Sequence, residues 1–388
     1  MSKLTIDRDY LVTTLADMVR INSINPALVP GGAGEAELAQ YLASRMGDLS
    51  LEVETQELEP GRVNAIGRRK GSGGGRSLML NGHIDTVGIE GMTDPFSADI
   101  RDGKLYGRGA YDMKASLAAS LAAVKSLNDN DVALAGDLLL AMVVDEEYGS
   151  IGTADVAERY EVDGAIVTEP TALDLCLAHR GFLWLEVETA GHAAHGSRYQ
   201  EGIDANMHMG RFLGELDKLG QTLLARTGHP LLGPPSLHAP IITGGSALSI
   251  YAAHCTLKIE RRTLPGETEA GIVGEIQSII DRLAAADPAF KATVRPIFGR
   301  DPYEVSADAP IARIVTQAVQ SVRGQPPAAL GAPWWMDSAL LGAAGVETVI
   351  IGPDGAGAHA DVEWVDLDST VDLAQILANA AITYCGVG

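Results

Sequence analysis

The sequence predicts an α/β protein in which a large domain on a mostly parallel sheet is interrupted by an inserted ferredoxin-like domain. Three observations predict it. Short apolar runs of strand length, Leu78-Met79-Leu80, Leu138 to Val144, Ala165 to Val167 and Val349 to Ile351, alternate with segments of helical spacing. Each run stops at residues able to bind a cation or move a proton. Between about residues 177 and 299 the order changes to strand, helix, two strands, helix, strand, the βαββαβ pattern. The domains expected are therefore 1–176 with 300–388, and 177–299 between them.

In chain order, Tyr10 to Arg20 places Leu11, Leu15, Met18 and Val19 on one helical face, and Asn25-Pro26 ends that segment. Glu35 to Met46 repeats the helical spacing, and Leu51 to Leu58 alternates as a strand before Glu59-Pro60-Gly61. Gly71 to Gly75 is a surface turn; with no Lys-Ser/Thr after it and no helix opening there, it is not a phosphate loop. Ala115 to Leu127 is an Ala/Leu helix with Asp112 near its start. In the insert, strands are expected at Phe182–Glu188, His238–Ile242, Cys255–Ile259 and Ala292–Ile297, with helices at Asp204–Leu219 and Ala270–Leu283.

Composition bounds the function. With 388 residues, 46% of them hydrophobic, the chain can bury real cores, and 29 Lys+Arg against 51 Asp+Glu leave a net charge of −22. That balance argues against a nucleic-acid groove or an anionic membrane surface as partner. The opening MSKLTIDRDYLVTTLADMVRIN mixes charge with helical spacing and does not read as a secretory signal, and no stretch reaches membrane-span length. Cys176, Cys255 and Cys385 are widely spaced and odd in number, so neither a disulfide framework nor a thiolate zinc site is expected. A cytoplasmic location fits these features.

The chemistry sits where the apolar runs stop. SLMLNGHIDTV delivers His83 and Asp85, two residues apart, and an imidazole that binds a metal usually has a carboxylate fixing its other nitrogen. YGRGAYDMK brings Asp112 to a helix start, LLLAMVVDEEYG ends in Asp145, Glu146 and Glu147, AIVTEP ends in Glu169, and VIIGPDGAGAHAD ends in His359. Taken singly these have bland explanations: a satisfied turn histidine, an N-cap, a solvated acidic turn. Together they place His83, Glu146/Glu147, Glu169 and His359 beyond the carboxyl ends of four strands, where open α/β sheets gather ligands. Two histidines with three or four carboxylates and no thiolate form the donor set of a two-metal hydrolytic site, its ions about 3.5–4 Å apart across a bridging carboxylate. One acid must stay free to take a proton from the attacking water. Spacing does not decide whether Glu146 or Glu147 is that acid.

The motifs GHIDTV, GRGAYDMK, VVDEEYGS, TEP, IERRTLPGET and GAHAD, in this order over essentially the whole chain, resemble the two-zinc deacylase and exopeptidase superfamily. That superfamily includes acetylornithine deacetylase, succinyl-diaminopimelate desuccinylase, aminoacylase and the carboxypeptidase G type enzymes. The resemblance implies that His83 and Glu169 hold one zinc, that Glu147 and His359 hold the other, and that Asp112 bridges them. It makes Asp85 the orienter of His83 and Glu146 the general base. It also implies that the insert is a lid and dimerisation domain, with His195 in GHAAHGSRYQEG stabilising an oxyanion, commonly from the neighbouring subunit, and His192 structural. Arg262 matches the residue that clamps a substrate carboxylate, while Arg261 should point to the opposite strand face. Ser249 and Gly357 join Arg262 as substrate contacts. Here the chain departs from many relatives, with Ser249 and Ala252 after Gly244-Gly245 where those have Asn and a nearby Pro.

His179, His208, His229, His238 and His254 read as structural or surface residues, and Trp334-Trp335 with Asp337-Ser338 as core packing, with shaping of the acyl or side-chain pocket as the alternative. The expectation is a homodimeric amidohydrolase with two Zn²⁺ per chain, replaceable by Co²⁺, that removes the acyl group of small N-acyl amino acids. The alternative enzyme is a dipeptidase or carboxypeptidase-like exopeptidase on the same site. A catalytically silent binding relative is disfavoured, because the base and all five ligand positions are filled.

Overall fold

The computed structural model describes residues 4–388. The chain divides into two compact units, one of Met1–Leu177, Val305–Leu330 and Met336–Gly388, the other of Ala178–Glu304 with Gly331–Trp335.

In the first unit the strands Leu138–Val143, Leu78–His83, Gly164–Val167 and Glu347–Ile350 lie side by side and parallel. The first three are buried along their whole length, which is why their sequences are continuous apolar runs rather than alternating ones. The flanks are antiparallel: Glu52–Glu59 pairs Arg62–Arg69, which pairs Leu138–Val143, and on the other side Ile350 pairs Cys176 of Leu175–His179. The sheet is therefore mixed, parallel only at its centre. Being parallel, the four central strands deliver their carboxyl ends to one edge.

Helices cover this sheet for reasons legible in their residues. Arg8–Arg20 buries Leu11, Leu15, Met18 and Val19 and is capped by Asp7, whose carboxylate accepts from the Tyr10 N–H at 2.9 Å, a bond worth about 1 kcal/mol. Ala115–Asp129 buries nearly every side chain; its alanines and serines allow close packing against Leu367–Cys385. A small second sheet, ordered Gly355–Ala356, Trp364–Asp366, Lys104–Tyr106, Asp99–Arg101, pairs Trp364 with Tyr106. It sets the loop before Asp112 beside the turn that carries His359.

The second unit has the strands Gly181–Ala190, Ser236–Gly244, His254–Thr263 and Lys291–Arg300 and the helices Ala205–Leu224 and Glu269–Ala286. All pairings are antiparallel, in the order Ser236–Gly244, His254–Thr263, Gly181–Ala190, Lys291–Arg300, the ferredoxin-like arrangement. Leu183, Leu185 and Val187 alternate inward onto Phe212, Ile276 and Ile279, closing a core on the helix side. Sequence periodicity did not assign Gly331–Trp335 to this unit. Tertiary contacts do: the Trp335 indole donates to the Asp301 carbonyl at 3.1 Å and stands edge-on to His179.

Candidate metal centre

His83 is the last residue of its strand and 2% exposed. Its Nδ1 lies 3.0 Å from the Asp85 carbonyl and 3.5 Å from the Asp85 carboxylate, partners that place the proton on Nδ1 and turn the Nε2 lone pair inward. Nε2 faces Asp112 Oδ1 at 3.0 Å and Glu169 Oε1 at 3.5 Å. The Asp85 carboxylate does more than orient His83. It accepts from the backbone N–H groups of Glu146 and Glu147, each at 3.2 Å, and from Asn25 Nδ2 at 2.8 Å. Burial opposes its charge, but bonds from His83, Asn25 and Glu147 outweigh burial and hold its carboxyl below the usual range.

His359 stands on a different footing. It sits in a turn with φ +61° and a half-exposed side chain, and its Nε2 faces Glu147 Oε2 at 3.0 Å and Asp112 Oδ2 at 3.3 Å. Hydrogen bonds to Asp112 and Glu147 raise its pKa to about 10. Gly357 shapes this turn through its backbone: its φ is +88°, a Cβ would overlap the Val362 carbonyl, and its own carbonyl accepts from the Ala360 N–H at 2.9 Å.

Asp112 thus gives one oxygen to each histidine. Burial opposes its charge, while the bonds to His359 and His83 hold its carboxyl well below normal. The other acids run the opposite way. Burial, then Glu169, pushes Glu146 well above the usual carboxylate range; burial, then Asp112, raises Glu147; and burial raises Glu169 to about 8 against the pull of His83. Asp145, the first acid of the sequence triplet, has its own counter-ion, since Arg62 Nη2 donates to its Oδ1 at 2.7 Å. A surplus of buried carboxylates around two imidazoles is what a divalent cation offsets, and nitrogen with carboxylate oxygen suits Zn²⁺ or Co²⁺. Donor atoms of His83, Asp112 and Glu147, and of His83, Glu146 and Glu169, fall within 4.8 Å of one another. Proximity alone therefore leaves both glutamates eligible as ligands. Glu147 bonds His359, whereas Glu146 lies beside Glu169.

Residues 79–383 match the peptidase family M20/M25/M40. The chain belongs to that family. It is accordingly a hydrolase of amide bonds. Among curated relatives, an acetylornithine deacetylase of Myxococcus xanthus is 29% identical over 390 residues, covering 97% of this chain and 98% of the relative. An N-formyl-4-amino-5-aminomethyl-2-methylpyrimidine deformylase of Bacillus subtilis is 28% identical over 383 residues, covering 90% and 89%. Among solved structures, an aminopeptidase of Bacillus cereus superposes with a TM-score of 0.80 at 17% identity over 97% and 98% of the two chains. A dinuclear metal-binding M20 peptidase of Bacillus subtilis gives 0.75 at 15%, covering 97% and 98%.

This M20 chain carries several site neighbours that motif reading overlooked. Glu363 accepts from the N–H groups of Gly109, Tyr111 and Asp112 and from Arg108, so it shapes the loop of Asp112. Gly109 in that loop has φ +79°, and a Cβ on it would lie 2.8 Å from Thr86 Cγ2 and 3.0 Å from Lys114 Cε. The buried Lys114 Nζ donates to the Met18 and Ile21 carbonyls at 3.1 and 2.9 Å, anchoring the loop's far end to the close of the first helix. Asn25, read as a helix stop, also bonds Asp145 at 3.0 Å, and Glu35 makes two bonds to Arg62 at 2.8 and 2.9 Å. Asp337 is buried, as a packing role requires, and is charged as well. Burial pushes its carboxyl up to about 6, Thr153 Oγ1 donates to it at 2.6 Å, and its charge is felt at Glu146 and Glu169. Periodicity missed these residues because each acts through a partner far away in sequence.

His195, Ser249 and Arg262 lie in the second unit. His195 Nδ1 accepts from the Ser197 N–H at 3.2 Å, which puts its proton on the exposed Nε2. The Ser249 carbonyl accepts from the Gly196 N–H at 2.7 Å, beside His195, and His192 exchanges backbone bonds with Ile203. Arg262 is partly exposed and pairs with Glu260 at 3.2 Å, while Arg261 is buried on Glu267, so strand alternation separates the two. Of the other histidines, His208 packs on Phe290, and His229, His238 and His254 each pair with one glutamate.

Proposed function

We propose that this chain is a two-zinc deacylase that hydrolyses the amide of small N-acyl amino acids, in the manner of acetylornithine deacetylase, and that Co²⁺ can replace Zn²⁺. The observation that carries the reading is Asp112, whose two oxygens face His83 and His359 separately while Glu146 stands by with a raised pKa. The full-length likeness to a deacetylase and a deformylase supports the acyl side of it.

His83 and Glu169 would hold one ion, Glu147 and His359 the other, with Asp112 shared between them. Such ions polarise the scissile carbonyl and acidify the attacking water. Glu146 would take the water's proton and pass it to the leaving amine; burial raises its pKa, which makes it a stronger base than an exposed carboxylate. Asp85 keeps His83 and the Glu146–Glu147 backbone in register. In this reading His195 would donate from Nε2 to the oxyanion, Arg262 would clamp the substrate carboxylate, and Ser249 and Gly357 would be further substrate contacts.

We further propose a homodimer through the second unit. Its edge strand Ser236–Gly244 exposes Ile241 at 52% and Ile242 at 53%, the kind of edge that pairs with another chain. Three buried cysteines that form no disulfide among the described residues support a reducing, cytoplasmic setting, and no helix of the described residues is long and apolar enough to cross a membrane.

Metal analysis combined with turnover of N-acetyl amino acids, N-formyl amines and dipeptides tests the reading. Two zinc ions and preferential deacylation are expected; faster dipeptide cleavage would move the assignment to an exopeptidase, and neither metal nor turnover would sink it.

A further inference from the structure

We propose that Glu363 is a positioning residue for the shared Asp112 and for the His359 turn, a clamp that sets how far apart the two histidine sides stand. The inference rests on the two-metal reading above.

Glu363 is 1% exposed, and both its oxygens are fully engaged. Oε1 accepts from the N–H groups of Tyr111 at 2.9 Å and Asp112 at 3.0 Å. Oε2 accepts from the Gly109 N–H at 3.1 Å and from Arg108 Nη1 at 2.6 Å. Arg108 carries the clamp onward: its Nε donates to the Gly88 carbonyl at 2.9 Å and its Nη2 to the Ala360 carbonyl at 3.1 Å, next to His359. One ion pair therefore grips the backbone of Asp112 and the backbone beside His359, residues that the chain separates widely. The register of the small sheet brings them within reach, because Trp364 pairs with Tyr106 and the Glu363 carbonyl accepts from the Gly107 N–H at 3.1 Å.

A carboxylate that merely pinned a surface loop would not bond the N–H of a candidate ligand. Moving Glu363 moves the Cα of Asp112, and each of the Asp112 oxygens then shifts against its histidine. Groups behind a ligand that fix its direction are worth about 10–100-fold in metal affinity.

The test is Glu363→Gln, which keeps the size and removes the charge. Wild type and variant are titrated with Zn²⁺ alone against a chelator of known affinity, metal-free melting temperatures are recorded, and kcat and KM are measured separately. The expected result is a loss of about 10–100-fold in affinity for the second Zn²⁺. Metal-free melting should stay within a few degrees of wild type, kcat should fall more than KM rises, and Glu363→Asp, which keeps the charge, should recover part of the affinity. A lower metal-free melting temperature with both Zn²⁺ affinities unchanged would overturn the clamp and leave a structural staple. If Glu363→Gln does not fold, Arg108→Lys takes its place, since an ammonium cannot span the Gly88 and Ala360 carbonyls while holding Glu363. Unchanged Zn²⁺ affinity in a folded Arg108→Lys overturns the inference equally. Wild type that takes up no Zn²⁺ defeats the two-metal reading, whereas two ions held equally well by wild type and variant defeat only the clamp.

Discussion

His83 and His359 face the same aspartate from opposite kinds of ground. His83 ends a strand buried along its whole length, with Asp85 two residues on holding its outer nitrogen. His359 stands on a left-handed turn, its side chain half exposed, and strand pairing does not hold it. A non-glycine residue in that conformation costs about 1–2 kcal/mol, which its surroundings must offset. Gly357 shapes the turn from two residues away, and Arg108, paired with Glu363, reaches the adjoining Ala360 carbonyl from a distant part of the chain. The comparison teaches that one half of the centre is set by local secondary structure, while the other depends on a long-range arrangement and should be the softer of the two.

The largest effect expected belongs to neither half. Glu146→Gln should lower turnover by about 10²–10⁴ while both ions are retained; if metal analysis shows an ion lost and Glu147→Ala keeps both, the two glutamates have been assigned the wrong way round. Next in size, His195→Ala should lower kcat/KM by about 10²–10³, the value of one oxyanion donor, with metal content unchanged. Near-normal turnover would remove His195 from the reaction.

Acid sensitivity of the centre has to be separated from acid unfolding of the second unit. Burial pushes His179 down to about 4, so its neutral form is favoured when folded. The stability this supplies is fully present above the unfolded value near 6.5 and is lost as pH falls through about 4, on the order of 3 kcal/mol. Denaturant titrations at pH 7 and pH 4 should therefore differ less in His179→Gln than in wild type by about that amount, and an equal difference would refute the linkage.

The smallest effect bears most directly on the two halves. Graded chelation should strip the His359 side first, leaving a one-ion species, and Asp85→Asn should weaken the His83 side by about 10–100-fold. Loss of both ions in a single step, or an Asp85→Asn protein with wild-type affinity, would mean that the halves are equally firm.

Much of this protein was legible in one dimension. Continuous apolar runs marked the central strands because burial on both faces leaves no polar positions, and alternation marked the strands of the insert because one sheet face packs on helices. His83, Glu146, Glu147 and Glu169 were readable because parallel strands deliver their ends to a common edge. The sequence alone did not determine which acids would need an outside cation: Asp145 looks like Glu146 and Glu147 until Arg62 folds against it. It also left open the antiparallel flanks of the main sheet and the partners of Glu363, Arg108 and Asp337, and it placed Gly331–Trp335 in the main domain rather than in the second unit. These depend on partners brought together from distant parts of the chain, and no local period records such a meeting. Tertiary structure alone decided them, because a buried charge must find its counterpart wherever the fold puts one.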